Sequence, residues 1–141
     1  MSFEKIIPFT LQHEGGAHVT TDPNDPGGTT KFGISQRYHP DVDVANMTLQ
    51  QAMVIYRAGY WNHVAKGVDD NLDMVAFECA VNPGLGHVLN WLENPEIQTW
   101  QDLLEARRTY YKNKVISQPK DQEYLHGWLN RCDDLNTFIQ G

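Results

Sequence analysis

The chain of 141 residues has few basic residues, few cysteines and no long apolar run. Its 11 lysines and arginines stand against 18 acidic residues, which gives a formal net charge of -7. This balance argues against nucleic-acid binding, because nucleic-acid binders need a positive face. No stretch approaches the roughly 20 apolar residues of a membrane-spanning helix. We therefore expect neither a nucleic-acid partner nor membrane insertion.

The sequence also has only two cysteines and no clear metal-binding motif. Cys79 and Cys132 each lie in an apolar helical pattern, which favours two buried thiols; a disulfide would require the fold to bring them together. The segment from His13 to His18, HEGGAH, superficially resembles a zinc-protease helix. A glycine pair breaks this segment, however, so its histidines cannot share one helical face as H-E-x-x-H requires. We expect no metal and no cofactor.

The N-terminus lacks the features of a secretory signal peptide. Glu4 and Pro8 lie in or beside its apolar patch, and it has no basic start or small-residue cleavage site. We therefore expect a protein that stays in the cytoplasm in which it is made until something releases it.

Apolar spacing predicts a mainly α-helical single domain, 1–141, with one small β-hairpin lobe near the N-terminus. The hairpin is predicted from Val19 to Thr21 and from Thr29 to Phe32. Tryptophans 91, 100 and 128 fall on apolar helix faces and are predicted to be core residues. Five helices are predicted. One starts at a capping box formed by Thr48 and Gln51, and the others span Ser2 to about His13, Asp70 to Val81, Trp100 to Val115 and Leu125 to Phe138.

The most unusual stretch is EGGAHVTTDPNDPGGTTKFGI, which runs from Glu14 to Ile34. Its proline, aspartate and glycine residues are dense turn signals. So many turn residues around carboxylates indicate a shaped loop that places acids. Asp22, Asp25 and Glu14 are therefore candidate catalytic residues.

Glu14 is predicted to end the first helix, where the partial negative charge of the helix C-terminus favours a protonated carboxyl group. Glycoside hydrolysis needs such an acid to protonate the leaving oxygen. Taken alone, Glu14 reads more readily as a solvated helix-terminal residue without a task. The turn-rich loop that follows Glu14 carries further carboxylates, and this makes a catalytic role for Glu14 the preferred interpretation.

The same reaction needs a second carboxylate, either to activate water or to act as a nucleophile. Asp22 or Asp25 could supply it from a hairpin that faces the helix end, although aspartates in turns usually bond only to the backbone. Thr29 and Thr30 are ordinary strand formers by default. A threonine hydroxyl at this place could also help to hold the attacking water.

The pattern E-G-G, D-P-x-D-P-G-G and T-x-x-G-I resembles the signature of glycoside hydrolase family 108. These are phage and bacterial muramidases with a lysozyme-like fold. The resemblance implies Glu14 as the general acid, with Asp25 and Thr30 acting on water. Asp22 is the fallback, and alignment to the T-even phage lysozymes would select Thr29. The spacer before D-P is longer than the family pattern.

The resemblance continues beyond this motif. Ala80-Val-Asn82, followed by glycines, resembles the A-V-N-x-G segment of the family, and GWLNR at 127–131 resembles the end of its C-terminal peptidoglycan-associated region. The resemblance implies a catalytic half, 1–80, and a helical peptidoglycan-associated half, 81–141. Gly28, Asn82 and Tyr60 are candidates for substrate contact. For Asn82, a helix C-cap is an equal alternative.

The resemblance as a whole implies a monomeric phage-type endolysin. It would hydrolyse the β-1,4 bond between N-acetylmuramic acid and N-acetylglucosamine in peptidoglycan glycan strands. It would wait in the host cytoplasm for a holin-type partner and then act on the cell wall. Two alternatives stay open, a lytic transglycosylase on the same scaffold and a non-catalytic peptidoglycan-binding module.

Overall fold

A computed structural model gives the structure of the chain and describes residues 2–21, 23–24 and 28–141. These residues form two compact units, Phe3–His63 and Val64–Gly141, with Ser2 grouped with the second. The division into a catalytic half, 1–80, and a peptidoglycan-associated half, 81–141, stays a prediction. No helix in the described ranges is both long enough and apolar enough to cross a membrane.

The first unit begins with helix α1, Ser2–His13, which the sequence predicts within one residue. Pro8 lies inside this helix without ending it. The buried side chains recur every three or four positions, as expected for a helix with one face against a core. They are Phe3, Ile6, Ile7, Thr10 and Leu11.

The second helix of this unit, α2, spans Leu49–Tyr56 and starts at the predicted capping box. The backbone N–H of Gln51 donates to Thr48 Oγ1, and the N–H of Thr48 donates to Gln51 Oε1. The helix continues through a π-helical turn, Arg57–Trp61, into a short α3, Asn62–Val64. The sequence shows a continuous apolar face here and does not indicate the wider turn.

A small antiparallel sheet completes the first unit, with strands β1 (Thr20–Thr21), β2 (Thr29–Lys31) and β3 (Ile34–Ser35) in that order. The predicted hairpin of β1 and β2 is confirmed. The sequence does not predict strand β3, because its two residues directly follow a tight turn at the start of a polar, turn-rich stretch. Thr30 lies opposite Thr20 on one side and Ser35 on the other.

The second unit is helical in all its regular elements. Between the first two helices of this unit, Asn82 interrupts the helical backbone with φ -151° and ψ 115°, and Pro83 follows it. This break agrees with the predicted helix end before Pro83. The helices are α4 (Asp70–Cys79), α5 (Leu85–Glu93), α6 (Trp100–Ser117) and α7 (Gln122–Gln140).

A buried ionic cluster joins three of these helices. Glu78 of α4 and Arg107 of α6 have no exposed side-chain surface, and Arg131 of α7 is almost as deeply buried. Arg131 is bidentate, with Nε 2.6 Å from Glu78 Oε1 and Nη2 3.1 Å from Oε2. Arg107 Nη2 lies 3.3 Å from Oε1. A fully buried carboxylate is therefore compensated by two guanidinium groups from two other helices.

The two cysteines are free and buried, as predicted. Burial raises the pKa of Cys79 to about 12, so its thiol stays protonated. The prediction for the tryptophans is only partly right. Trp100 is buried, whereas Trp91 and Trp128 are half-buried. Helical spacing indicates which face of a helix is apolar, but it does not give the depth of burial.

Replacing Glu78 with glutamine should lower the free energy of unfolding by about 3–5 kcal/mol, because it leaves two buried arginines without their anion. Urea unfolding followed by circular dichroism measures this change. Glu105→Gln is the matched control, since Glu105 is exposed in its pair with Arg108 and should cost at most about 1 kcal/mol. Equal losses in the two variants would contradict the assigned role of the cluster.

Candidate active site

Glu14 is held at the end of α1 by a glycine-dependent helix stop. The N–H of Gly16 donates to Leu11 O over 2.8 Å, and the N–H of Gly15 donates to Gln12 O over 3.4 Å. These two bonds, with Gly15 at φ +95°, form a Schellman motif. The glycine pair after Glu14 therefore ends the helix and fixes the backbone of a half-buried carboxylic acid.

The turn between β2 and β3 packs directly against this acid. Gly33 has φ +75°, and a Cβ added to it would lie 2.8 Å from Glu14 Cβ and 2.7 Å from Tyr56 Oη. Both distances are too short for real atoms. The position therefore requires glycine for two reasons, its backbone conformation and its contact with Glu14.

The residue before this glycine ties the turn to both helices. Phe32 is buried and has φ 54°, which is unusual for a residue with a side chain. Its N–H donates to Gly16 O over 3.0 Å, and its carbonyl accepts a 2.6 Å hydrogen bond from Tyr56 Oη. The end of α1, the β2–β3 turn and α2 therefore meet around Glu14.

Tyr60 also lies close to Glu14. Burial raises the pKa of Tyr60, and the nearby carboxylate of Glu14 raises it further. The Tyr60 ring lies 5.6 Å from the ring of Tyr56, one turn earlier. Of the residues predicted from sequence, Glu14 and Tyr60 are thus brought together, and Tyr60 presents a neutral phenol.

A pocket of about 530 Å³ lies next to this group. Its wall includes Gly33, Ser35, Tyr38 and Tyr60. Glu14 does not itself line the pocket, but Gly33 and Tyr56, which both lie against the acid, belong to its wall. Its volume is within the usual range for small-molecule sites, and its mixture of aromatic rings and hydroxyl groups suits a polar ligand with flat faces.

The two candidate threonines differ in their hydrogen bonding. Thr29 Oγ1 lies 3.0 Å from Thr21 Oγ1, so its hydroxyl has a partner. The Thr30 side chain forms no hydrogen bond with the described part of the chain. Side chains opposite each other in an antiparallel pair share a face, which puts Thr30 on the same face as Ser35, a pocket residue. Thr30 as the water-holding residue stays a prediction.

Other predicted residues are placed differently. Asp22 and Asp25 lie outside the described residues, and their roles stay predictions. Gly28 precedes β2 with φ +68° and has open space around it. Asn82 belongs to the second unit, where its Oδ1 accepts a 2.6 Å hydrogen bond from Tyr111. Helical φ and ψ end at Asn82, which agrees with its alternative role at a helix C-terminus.

Two residues of this site were not assigned a role from sequence, Gly33 and Tyr56. Gly33 is part of the T-x-x-G-I pattern, which was a visible signal. Tyr56 looks like any aromatic residue on an apolar helix face, and its bond to Phe32 depends on the fold. Across the described residues, no three histidine, cysteine, aspartate or glutamate side chains are grouped so that they could hold a metal ion.

Comparison with known proteins identifies the family. The model of the family Glycosyl hydrolase 108 matches residues 7–84, which is more than half of the chain. The chain belongs to glycosyl hydrolase family 108. The matched segment contains Glu14, Gly33, Tyr56 and Tyr60, so the whole group around the acid lies within it. No curated protein matches the chain.

The fold is similar to a solved structure titled "Structure of Brucella abortus SagA". The two chains are 22% identical, the TM-score is 0.73, and the match covers 98% of this chain and 93% of that one. At this identity the likeness concerns the fold. It confirms the predicted fold class, a mainly helical lysozyme-like protein with a small β lobe.

Gly33→Ala should destabilise the protein more than Gly67→Ala, although both glycines have φ +75°. Gly67 has no atom within 4 Å of an added Cβ, so alanine there should cost only the backbone strain, about 1–2 kcal/mol. At Gly33 the clash with Glu14 and Tyr56 should add about 1–3 kcal/mol. Urea unfolding of both variants measures the difference, and equal stability would contradict the close packing around Glu14.

Proposed function

We propose that the protein is a muramidase that hydrolyses the β-1,4 bond between N-acetylmuramic acid and N-acetylglucosamine in bacterial peptidoglycan. The observation that carries this proposal is a glutamic acid fixed at a helix end, packed against Gly33 and next to a pocket. Membership of a glycosyl hydrolase family supports a carboxylic acid in this role.

In the proposed reaction, Glu14 is the general acid and donates its proton to the glycosidic oxygen as the bond to the sugar carbon breaks. Asp25, with Asp22 as the alternative, would activate the attacking water or stabilise the positive charge that develops on the sugar. Thr30 would help to hold that water. Its hydroxyl suits this role, because it has no hydrogen-bond partner among the described residues and lies opposite a pocket residue.

Recognition of the glycan would be short-range. With a net charge of -7, the protein gains no long-range attraction to an anionic cell wall. The phenol of Tyr60 and the pocket beside Glu14 offer contacts of the kind that sugars use, an aromatic face and hydrogen-bonding groups. Gly28 and Asn82 are the other proposed substrate contacts.

The biological role that fits this activity is host lysis by a phage-type endolysin of the EC 3.2.1.17 type. The enzyme would be a monomer without a cofactor and would collect in the host cytoplasm. A holin-type partner would release it to the cell wall. This part of the proposal is supported by the family resemblance of the sequence.

Digestion of purified peptidoglycan sacculi tests the proposal. The wild type should release products with new reducing N-acetylmuramic acid ends, detected by mass spectrometry after borohydride labelling. Glu14→Gln should lower the rate by about 100-fold or more, because it removes the proton donor. Glu4→Gln is the matched control on the same helix, since Glu4 is exposed and pairs with Arg57. It should retain the wild-type rate.

Other products would change the conclusion. Anhydro-muramic acid ends would show a lytic transglycosylase, in which the aspartate and threonine have no role in activating water. Binding to sacculi without cleavage would show a non-catalytic binding module. An equal loss of activity in Glu4→Gln would contradict the specific role of Glu14.

A further inference from the structure

We propose that Tyr56 is a positioning residue that holds Glu14 in its productive orientation through the turn at Phe32 and Gly33. This inference rests on the proposed function of Glu14 as general acid. Tyr56 acts on the acid through the backbone of the turn and takes no part in proton transfer.

The hydroxyl of Tyr56 is committed to the turn. Tyr56 is only 2% exposed, and its Oη donates a 2.6 Å hydrogen bond to the carbonyl of Phe32. That distance is short for a neutral hydrogen bond between oxygen atoms. Because the bond is buried, removal of the hydroxyl would leave the Phe32 carbonyl without this donor in a place that water reaches poorly.

The turn needs such support. Phe32 has φ 54°, a left-handed conformation that is unfavourable for a residue with a Cβ and persists only where its surroundings hold it. Both backbone polar atoms of Phe32 are held, the N–H by Gly16 and the carbonyl by Tyr56. Of these two hydrogen bonds, only the one from Tyr56 comes from a side chain, so a substitution can remove it.

The position of Gly33 follows from that of Phe32. Its Cα is so close to Glu14 that an added Cβ would lie 2.8 Å from Glu14 Cβ and 3.2 Å from Glu14 Cγ. The turn therefore limits where the side chain of Glu14 can go. If the Tyr56 bond is lost, Phe32 can relax, Gly33 can move away, and Glu14 gains freedom that a proton donor should not have.

Tyr56→Phe tests this role, because it removes one oxygen atom and keeps the ring. We expect kcat on soluble peptidoglycan fragments to fall by about 10- to 100-fold, since small displacements of catalytic groups have effects of this size. KM should change less than kcat, because the wall residues Ser35, Tyr38 and Tyr60 are not altered by the substitution. Hydrogen exchange measured by NMR should show faster exchange of the Phe32 amide, which is bonded to Gly16.

Val75→Ala is the control for general loss of stability. Val75 is fully buried in α4 and lies outside the group around Glu14. Its truncation should lower the melting temperature but leave kcat and the Phe32 amide exchange at wild-type values. Circular dichroism at the assay temperature verifies that all variants are folded. In a Glu14→Gln background, Tyr56→Phe should cause no further loss, because it acts through Glu14.

Three results would overturn the positioning role. They are an unchanged kcat in Tyr56→Phe, unchanged exchange of the Phe32 amide, and an equal fall of kcat in Val75→Ala. A wild type that does not cut peptidoglycan is a different outcome, because the proposed function then fails before any variant is compared. The exchange rate still decides whether Tyr56 holds the turn.

Discussion

A carboxylate that is removed from water must be matched by positive charge, and Glu78 meets this requirement through two arginines from different helices. Glu78 on α4 pairs with Arg107 of α6 and with Arg131 of α7, so this one carboxylate links the three helices. Unlike the apolar contacts around it, this cluster is directional. Arg107 Nε also donates a hydrogen bond to Tyr111 Oη, which in turn donates one to Asn82 Oδ1. The cluster is therefore connected to the interruption between α4 and α5.

In the first unit, close contacts and unusual conformations of the backbone fix the surroundings of Glu14. A helix stop, a left-handed phenylalanine and a glycine without room for a Cβ meet at the acid, and each is a feature of the backbone. Backbone constraints of this kind would suit the general acid proposed for Glu14, because they limit where its side chain can lie.

Local signals predicted much of this fold. The apolar period of α1 and the capping box of α2 each specify structure within a few positions of themselves. The contact of Gly33 with Glu14 and the Tyr56–Phe32 hydrogen bond are different. They join residues about twenty positions apart, and no local pattern shows whether an aromatic hydroxyl will meet a carbonyl. The burial of Glu78 depends on arginines much later in the chain, which the sequence around it does not show.

The segment that defines the family ends at residue 84, inside the second unit. It includes Glu78 but neither Arg107 nor Arg131, so a fragment cut at that boundary would keep the anion and lose both cations. We therefore expect that the family segment does not fold on its own, although it contains Glu14 and its neighbours. Exchange of either this segment or the helices that follow it would separate Glu78 from its two arginines and leave a buried charge unmatched.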